Sequence, residues 1–112
     1  MPLPVLIQHL IRNRLGAYCE RRVPADARAT QRLELRFTDD AVIVVDSRQL
    51  DNRWLSLEIA RFRYNPAAGT WLLDAPHFGG TPPWRQHSRK PVREIECLIA
   101  LLDEDADGVF WS

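Results

Sequence analysis

Residues 31–64, QRLELRFTDDAVIVVDSRQLDNRWLSLEIARFRY, carry the patterns that set the architecture of this chain. Residues 31–38 alternate leucine and phenylalanine with polar side chains, which predicts a strand with one buried face. Residues 41–46, AVIVVD, are β-branched on both faces and therefore predict a central strand that is covered on both sides. The polar segment 47–53 predicts a loop.

The longest predicted strand covers residues 54–64. Its apolar alternation changes phase after Ile59, and a shift of one residue predicts a β-bulge there. The segment 65–69, NPAAG, has the composition of a hairpin loop, and residues 70–73 form the returning strand.

The flanking segments predict two helices. Residues 5–22 repeat apolar side chains at helical spacing, and a second such stripe begins at Pro91, in the first turn of a C-terminal helix. Between them, residues 75–83 predict an irregular loop and residues 84–87 a short edge strand. The expected fold is one α+β domain, 1–112: an antiparallel four- or five-stranded meander sheet with both helices packed on one face.

Charge and composition limit the classes of function. The 15 basic and 15 acidic residues cancel, which argues against a general polyanion binder. Basic residues concentrate in 1–36 and acidic residues in 93–112, so we expect these two segments to be neighbours. No apolar run reaches the length of about 18 residues that a membrane span needs. The N-terminus lacks the pattern of a secretory signal, and two cysteines make no disulfide framework, so we expect a cytoplasmic protein with reduced thiols and no membrane partner.

The sequence offers no catalytic residue and no cofactor motif. Ser47, Ser56 and Ser88 lack the glycines of a nucleophile elbow. Gly79 and Gly80 are followed by Thr-Pro-Pro rather than by a helix start with lysine, so they form no phosphate loop. An enzyme or metal protein is therefore the least favoured alternative.

One acidic segment is similar to a cation-binding loop. Asp103, Asp105 and Asp107, followed by Gly108, match the first half of a calcium-binding EF-hand loop. The bidentate glutamate of such a loop would fall past the last residue, and no exiting helix follows. An acidic helix end with Gly108 as its turn residue is the favoured interpretation, and the three aspartates remain a weak calcium candidate.

Arginines and aromatic residues mark a candidate binding face on the side of the sheet away from the helices. Its candidate residues are Arg36, Arg61, Arg63, Trp84, Arg85 and His87. The first hypothesis is a non-catalytic protein-interaction module that binds an unknown protein or a second copy of itself. The apolar strand 41–45 needs cover on the side without helices, which a second copy could supply face to face, and arginine and tryptophan are common at interfaces. The alternative is nucleic-acid binding through the same arginines. Unpaired Arg61 and Arg63 on a concave face beside an exposed tryptophan would favour nucleic acid. Pairing of these arginines with Glu58, Glu34 or Asp46 would disfavour it.

Three stretches carry a family resemblance: YCERRVP at 18–24, ARFRYNPAAGTW at 60–71 and DEDADGVFWS at 103–112. They resemble a bacterial family classified as a domain of unknown function, DUF3024, which is about as long as this chain. The C-terminal stretch, an acidic turn followed by Gly108, Phe110 and Trp111, is the most specific of the three. The resemblance implies a small α+β protein and implies no activity.

Overall fold

The computed structural model describes residues 3–77, 79–80 and 82–111, and it contains one five-stranded antiparallel sheet with two helices. The strands follow the order β1-β2-β3-β4-β5, so each pairs with its sequence neighbour and the predicted α+β meander is confirmed. The elements are α1 (Val5–Arg22), a 3-10 turn (Ala25–Ala27), β1 (Gln31–Phe37), β2 (Ala41–Leu50), β3 (Arg53–Asn65), β4 (Thr70–Pro76), β5 (Trp84–Gln86) and α2 (Ile95–Glu104).

The hydrophobic core lies between one face of the sheet and the two helices. Ile11 and Leu15 of α1 and Leu98 of α2 are fully buried in the same cluster as Phe62 and Trp71 of the sheet. Burial of such large side chains is the main term that stabilises a domain of this size. Among the described residues, no helix is both long and apolar enough to cross a membrane.

The predicted bulge is present in β3. Val44 pairs with Ala60, whereas the next residue of β2, Val45, pairs with Glu58. Ile59 is therefore the extra residue, and it is buried. The insertion changes which residues of β3 face the helices, which is why the apolar alternation changes phase in the sequence.

The segment 47–53 is not a loop, contrary to the prediction from its polar composition. β2 continues to Leu50, β3 begins at Arg53, and only Asp51 and Asn52 lie between the strands. Both have positive φ, 51° and 65°, which is the geometry of a two-residue hairpin turn. Ser47 is 2% exposed and its hydroxyl is hydrogen-bonded to that of Ser56, whereas the residues after it are exposed or partly exposed, so polar side chains fit in these strands.

Two further boundaries differ from the sequence prediction. β4 runs to Pro76, so the irregular loop is shorter than 75–83, and its Phe78 and Thr81 lie outside the described residues. α2 begins at Ile95 rather than at Pro91. The reason is a β-bridge upstream: the N–H of Trp71 donates to the carbonyl of Val92 at 2.7 Å, and the N–H of Val92 donates back at 3.1 Å.

Candidate interaction surfaces

The arginine face, which we define as Arg36, Arg61, Arg63 and Trp84, lies on the side of the sheet away from the helices. Arg61 and Arg63 of this face enclose Asp74, whose side chain is only 1% exposed. Arg61 Nε donates to Asp74 Oδ2 at 2.8 Å, and Arg63 Nη2 donates to Asp74 Oδ1 at 2.9 Å. The hydrogen bond to Asp74 also raises the pKa of Arg63 above its ordinary value.

All three arginines of this face are therefore paired. Arg36 Nη1 lies 3.1 Å from Glu58 Oε2, and Arg61 also stacks over the ring of Trp84, with 5.1 Å from its guanidinium carbon to the ring centroid. Pairing of these arginines with carboxylates is the arrangement expected to disfavour nucleic acid. Nucleic-acid binding therefore stays a prediction that the arginine face does not support.

Asp74 is the residue of this face that the sequence prediction missed. Glu34, Asp46 and Glu58 were the carboxylates expected to neutralise the arginines, and of these only Glu58 pairs with one of the three. The sequence nonetheless contains the information needed to place Asp74. If Asn65 and Thr70 pair at the hairpin turn, the antiparallel register of β3 and β4 puts Asp74 opposite Arg61.

Arg85 and His87 do not join the arginine face. Gln86 lies beside Asp74 in the register, so strand alternation turns Arg85 to the opposite side. There Arg85 Nη2 donates to Nε2 of His77 at 3.2 Å. The ring of His87 meets that of Phe110, a core residue, edge-on at 5.0 Å.

The apolar residues of β2 on the arginine side are already covered within one chain. Ile43 lies between Arg36 and Arg61 in the register and is 7% exposed, and Val45 is 2% exposed. The long side chains of neighbouring strands bury them. The expectation that this strand needs a second copy to cover it therefore loses its basis on this face.

A different set of apolar side chains is exposed. The leucine surface, which we define as Leu50, Leu55 and Leu57, has exposed fractions of 56%, 54% and 48%. Strand alternation places it on the helix side of the β2–β3 hairpin, beyond the part that the helices cover. It borders an open cavity of about 450 Å³ that Phe110 and Trp111 also line. The sequence prediction does not include this surface, because it places residues 47–53 in a loop.

The acidic C-terminal segment binds its own backbone. Asp105 has left-handed geometry (φ 44°, ψ 51°) at the end of α2. Its Oδ1 accepts the N–H groups of Val109 and Phe110 at 2.9 and 3.1 Å, and its Oδ2 accepts that of Trp111 at 3.0 Å. No group of three or more His, Cys, Asp or Glu side chains within the described ranges could hold a metal ion. The structure thus gives Asp103, Asp105 and Asp107 no shared point of coordination.

The same segment is fixed to α1, where the basic and acidic ends of the chain meet. Asp103 Oδ1 accepts the Tyr18 hydroxyl at 3.1 Å and Arg22 Nη1 at 3.2 Å. The guanidinium of Arg22 also lies 4.0 Å from the ring centroid of Trp111. A further bridge joins the two helices, from Arg14 to Glu96 at 3.1 Å. The contacts of Asp103 with Tyr18 and Arg22 offset the cost of a carboxylate near the C-terminus of α2.

The two thiols should differ sharply in reactivity. Cys97 is exposed, whereas Cys19 is 4% exposed and burial raises its pKa to about 11. At pH 8 we expect a thiol reagent such as 5,5′-dithiobis(2-nitrobenzoate) to modify Cys97 alone in the native protein and both cysteines in denaturant. In the Cys97→Ser variant, rapid native labelling would contradict this expectation.

The burial of Tyr18 and Cys19 predicts that the folded protein becomes less stable at alkaline pH. Desolvation raises the pKa of Tyr18 to about 12 and that of Cys19 to about 11, so folding favours their protonated forms. Their contribution to stability is fully present below the unfolded pKa values, 10.0 for Tyr18 and 9.0 for Cys19, and is lost as the pH rises through the folded values of about 12 and about 11.

Comparison with known proteins places this sequence in a family. The model of the family described as "Domain of unknown function (DUF3024)" matches residues 3–112. Neither a curated protein nor a solved structure matches the sequence. Because the match spans nearly the whole chain, the protein belongs to the DUF3024 family.

Proposed function

We propose that this protein is a non-catalytic protein-interaction module whose leucine surface binds the same surface of a second copy. The observation that carries the proposal is the exposure of Leu50, Leu55 and Leu57 on the side of the sheet that the helices cover elsewhere. Contiguous exposed apolar side chains with a polar rim are typical of protein interaction sites.

The charges around the leucine surface support a second copy as the partner. Arg48 Nε lies 3.2 Å from Asp46 Oδ2, so the charged pair at this surface is neutral within one chain. The whole chain also has a formal net charge of zero. Arg53 pairs with Leu50 in the register and adds one positive charge at the turn end of this surface, so an isologous interface requires the two Arg53 side chains to lie at its solvent-exposed rim.

The size of the surface indicates weak association. Burying a half-exposed leucine contributes roughly 1 kcal/mol, so six leucines contribute on the order of 6 kcal/mol before the entropic cost of association. A dissociation constant of 1 µM needs about 8 kcal/mol. We therefore expect a dissociation constant no tighter than tens to hundreds of micromolar, a value that requires other contacts of the interface to offset the entropic cost of association.

Sedimentation velocity from about 5 to about 500 µM should show a monomer–dimer equilibrium in this range. Leu55→Asp and Leu50→Asp should each abolish the dimer, because each would bury an unpaired charge at the interface. The matched control is Leu6→Asp, since Leu6 is 82% exposed on α1 and lies away from this surface.

Two results would count against self-association through this surface. One is a wild-type protein that stays monomeric throughout the concentration range. The other is a Leu55→Asp variant that has the circular dichroism spectrum of the wild type and dimerises with the same dissociation constant.

The setting that we propose is the bacterial cytoplasm. Two free thiols, one of them exposed, support a reducing compartment.

A further inference from the structure

β3 has a half that pairs on one edge only. The strand spans Arg53–Asn65, but β4 pairs with it only from Arg61 to Asn65. Beyond that point β4 diverges and pairs with β5 through Asp74–Pro76. In the described part of the chain, the stretch Trp54–Ala60 therefore has β2 on one edge and no strand on the other.

The turn geometry shows which backbone groups point to the open edge. A two-residue turn at Asp51 and Asn52 closes on a hydrogen-bonded pair, here Leu50 and Arg53. Hydrogen-bonded pairs then recur at every second residue of β3, through Leu55 and Leu57. The residues between them, Trp54, Ser56 and Glu58, direct their N–H and C=O groups away from β2.

The bulge at Ile59 supports this assignment. Before the bulge, the odd-numbered residues of β3 direct their N–H groups to β2; after it, the even-numbered residues do. The N–H of Tyr64, for example, donates to the carbonyl of Asp40 at 2.9 Å. One inserted residue accounts for the change from odd-numbered to even-numbered donors. The open edge before the bulge and the β4 pairing after it are therefore parts of one consistent ladder.

A groove runs along this open edge. Its cavity of about 360 Å³ lies between Ser56–Glu58 on one wall and Pro76, His77, Gly79, Gly80, Pro83 and Trp84 on the other. The prolines of the far wall have no N–H, and the N–H of His77 is already donated to the carbonyl of Pro83. The far wall thus bounds the groove without pairing with β3.

The form of the groove favours a single extended chain. One added strand lies about 5 Å from β3 and the second strand of a hairpin about 10 Å from it, and a cavity of about 360 Å³ is small for both. The edge itself, WLSLEIA, carries one charge and neither lysine nor proline, the residues that usually block strand addition at exposed edges.

We propose that this groove binds an extended peptide, which adds to β3 as an antiparallel strand opposite Trp54, Ser56 and Glu58. Backbone hydrogen bonds supply the affinity, and alternate side chains supply the selectivity. Peptide side chains on the helix side meet Leu55 and Leu57, which selects apolar residues. Those on the other side meet Glu58, whose carboxylate pairs with Arg36 at 3.1 Å but whose side chain stays 45% exposed, and Trp84, whose ring Arg61 stacks over; a lysine there can share the Glu58 carboxylate.

The test uses a fluorescein-labelled peptide of alternating valine and lysine, with binding followed by fluorescence anisotropy. In the proposed register, lysine side chains share a face with Ser56 and Glu58, so the lysine N–H groups point to β3 and the valine N–H groups point away. N-methylation of the lysine amides should weaken binding about tenfold or more, whereas N-methylation of the valine amides should leave it nearly unchanged.

The charge of the groove gives a second readout. Glu58→Lys should weaken binding of the valine–lysine peptide and strengthen binding of a valine–glutamate peptide, whereas Glu104→Lys, at an exposed position of α2, should do neither. Binding should persist in the Leu50→Asp variant, because this inference does not require the dimer.

Three results would overturn strand addition. The first is no saturable binding of the unmethylated peptide by either the wild type or the Leu50→Asp variant at about 1 mM. The second is equal loss, or equal retention, of binding for the two N-methylated peptides. The third is an identical preference for the two peptides in Glu58→Lys and the wild type.

Discussion

Trp71→Ala should be the most destabilising single substitution considered, lowering the free energy of unfolding by about 4 kcal/mol. Trp71 is 1% exposed, and its ring centroid lies 4.7 Å from that of Tyr64. Its backbone also forms the bridge to Val92 that holds the chain before α2. Truncation would leave a cavity at the point where sheet and second helix meet.

Urea denaturation followed by circular dichroism measures the change in the free energy of unfolding, and thermal denaturation measures the change in Tm. A domain of this size should lose roughly 20 °C in Tm for such a change. The matched control is Trp54→Ala, since Trp54 is 39% exposed and its ring contacts the guanidinium of Arg32 at 4.1 Å. We expect Trp54→Ala to lower the free energy of unfolding by about 1 kcal/mol or less. Equal losses in the two variants would mean that Trp71 does not hold the core together.

Asp74→Ala should lower the free energy of unfolding by about 3 kcal/mol, because it leaves two guanidinium groups without their carboxylate. Arg61 and Arg63 are only 29% and 32% exposed, so water can replace the lost partner only in part. Asp74→Asn should fall between the wild type and Asp74→Ala, since the amide oxygen still accepts one hydrogen bond.

An exposed ion pair provides the comparison. Glu34→Ala removes the partner of Arg32 in a bridge whose side chains are 56% and 49% exposed, and it should change stability by about 0.5 kcal/mol or less. If chemical denaturation gave Asp74→Ala the same small effect, the cluster would be a solvated surface network rather than a structural anchor.

Local patterns predicted those parts of the fold that depend on neighbouring residues. The alternation in 31–38, the phase change after Ile59 and the NPAAG turn each reflect a short-range constraint, and the structure contains all three. The start of α2 could not be predicted in this way. It depends on the bridge between Trp71 and Val92, which joins residues far apart in the sequence.

The candidate site was less accessible to prediction, because it depends on where elements end. The leucine surface exists because β2 and β3 extend past the helices, and no residue in 47–53 signals that. Likewise, the open edge of β3 exists because the end of β4 pairs with β5 instead, beginning with Asp74 and Gln86. The sequence alone does not predict this pairing. Arg85 and His87 were assigned to the wrong face because a three-residue strand carries too short an alternation to fix its phase.

The two-residue turn at Asp51 and Asn52 also has a consequence for the order of folding. Closing so short a connection costs little chain entropy, so the β2–β3 hairpin can form early, from contacts local in sequence. The contact between Tyr18 and Asp103 joins residues 85 positions apart and needs nearly the whole chain. On the ribosome the hairpin would therefore emerge and pair before α2 exists, and the C-terminal helix would close over a preformed sheet as the last step.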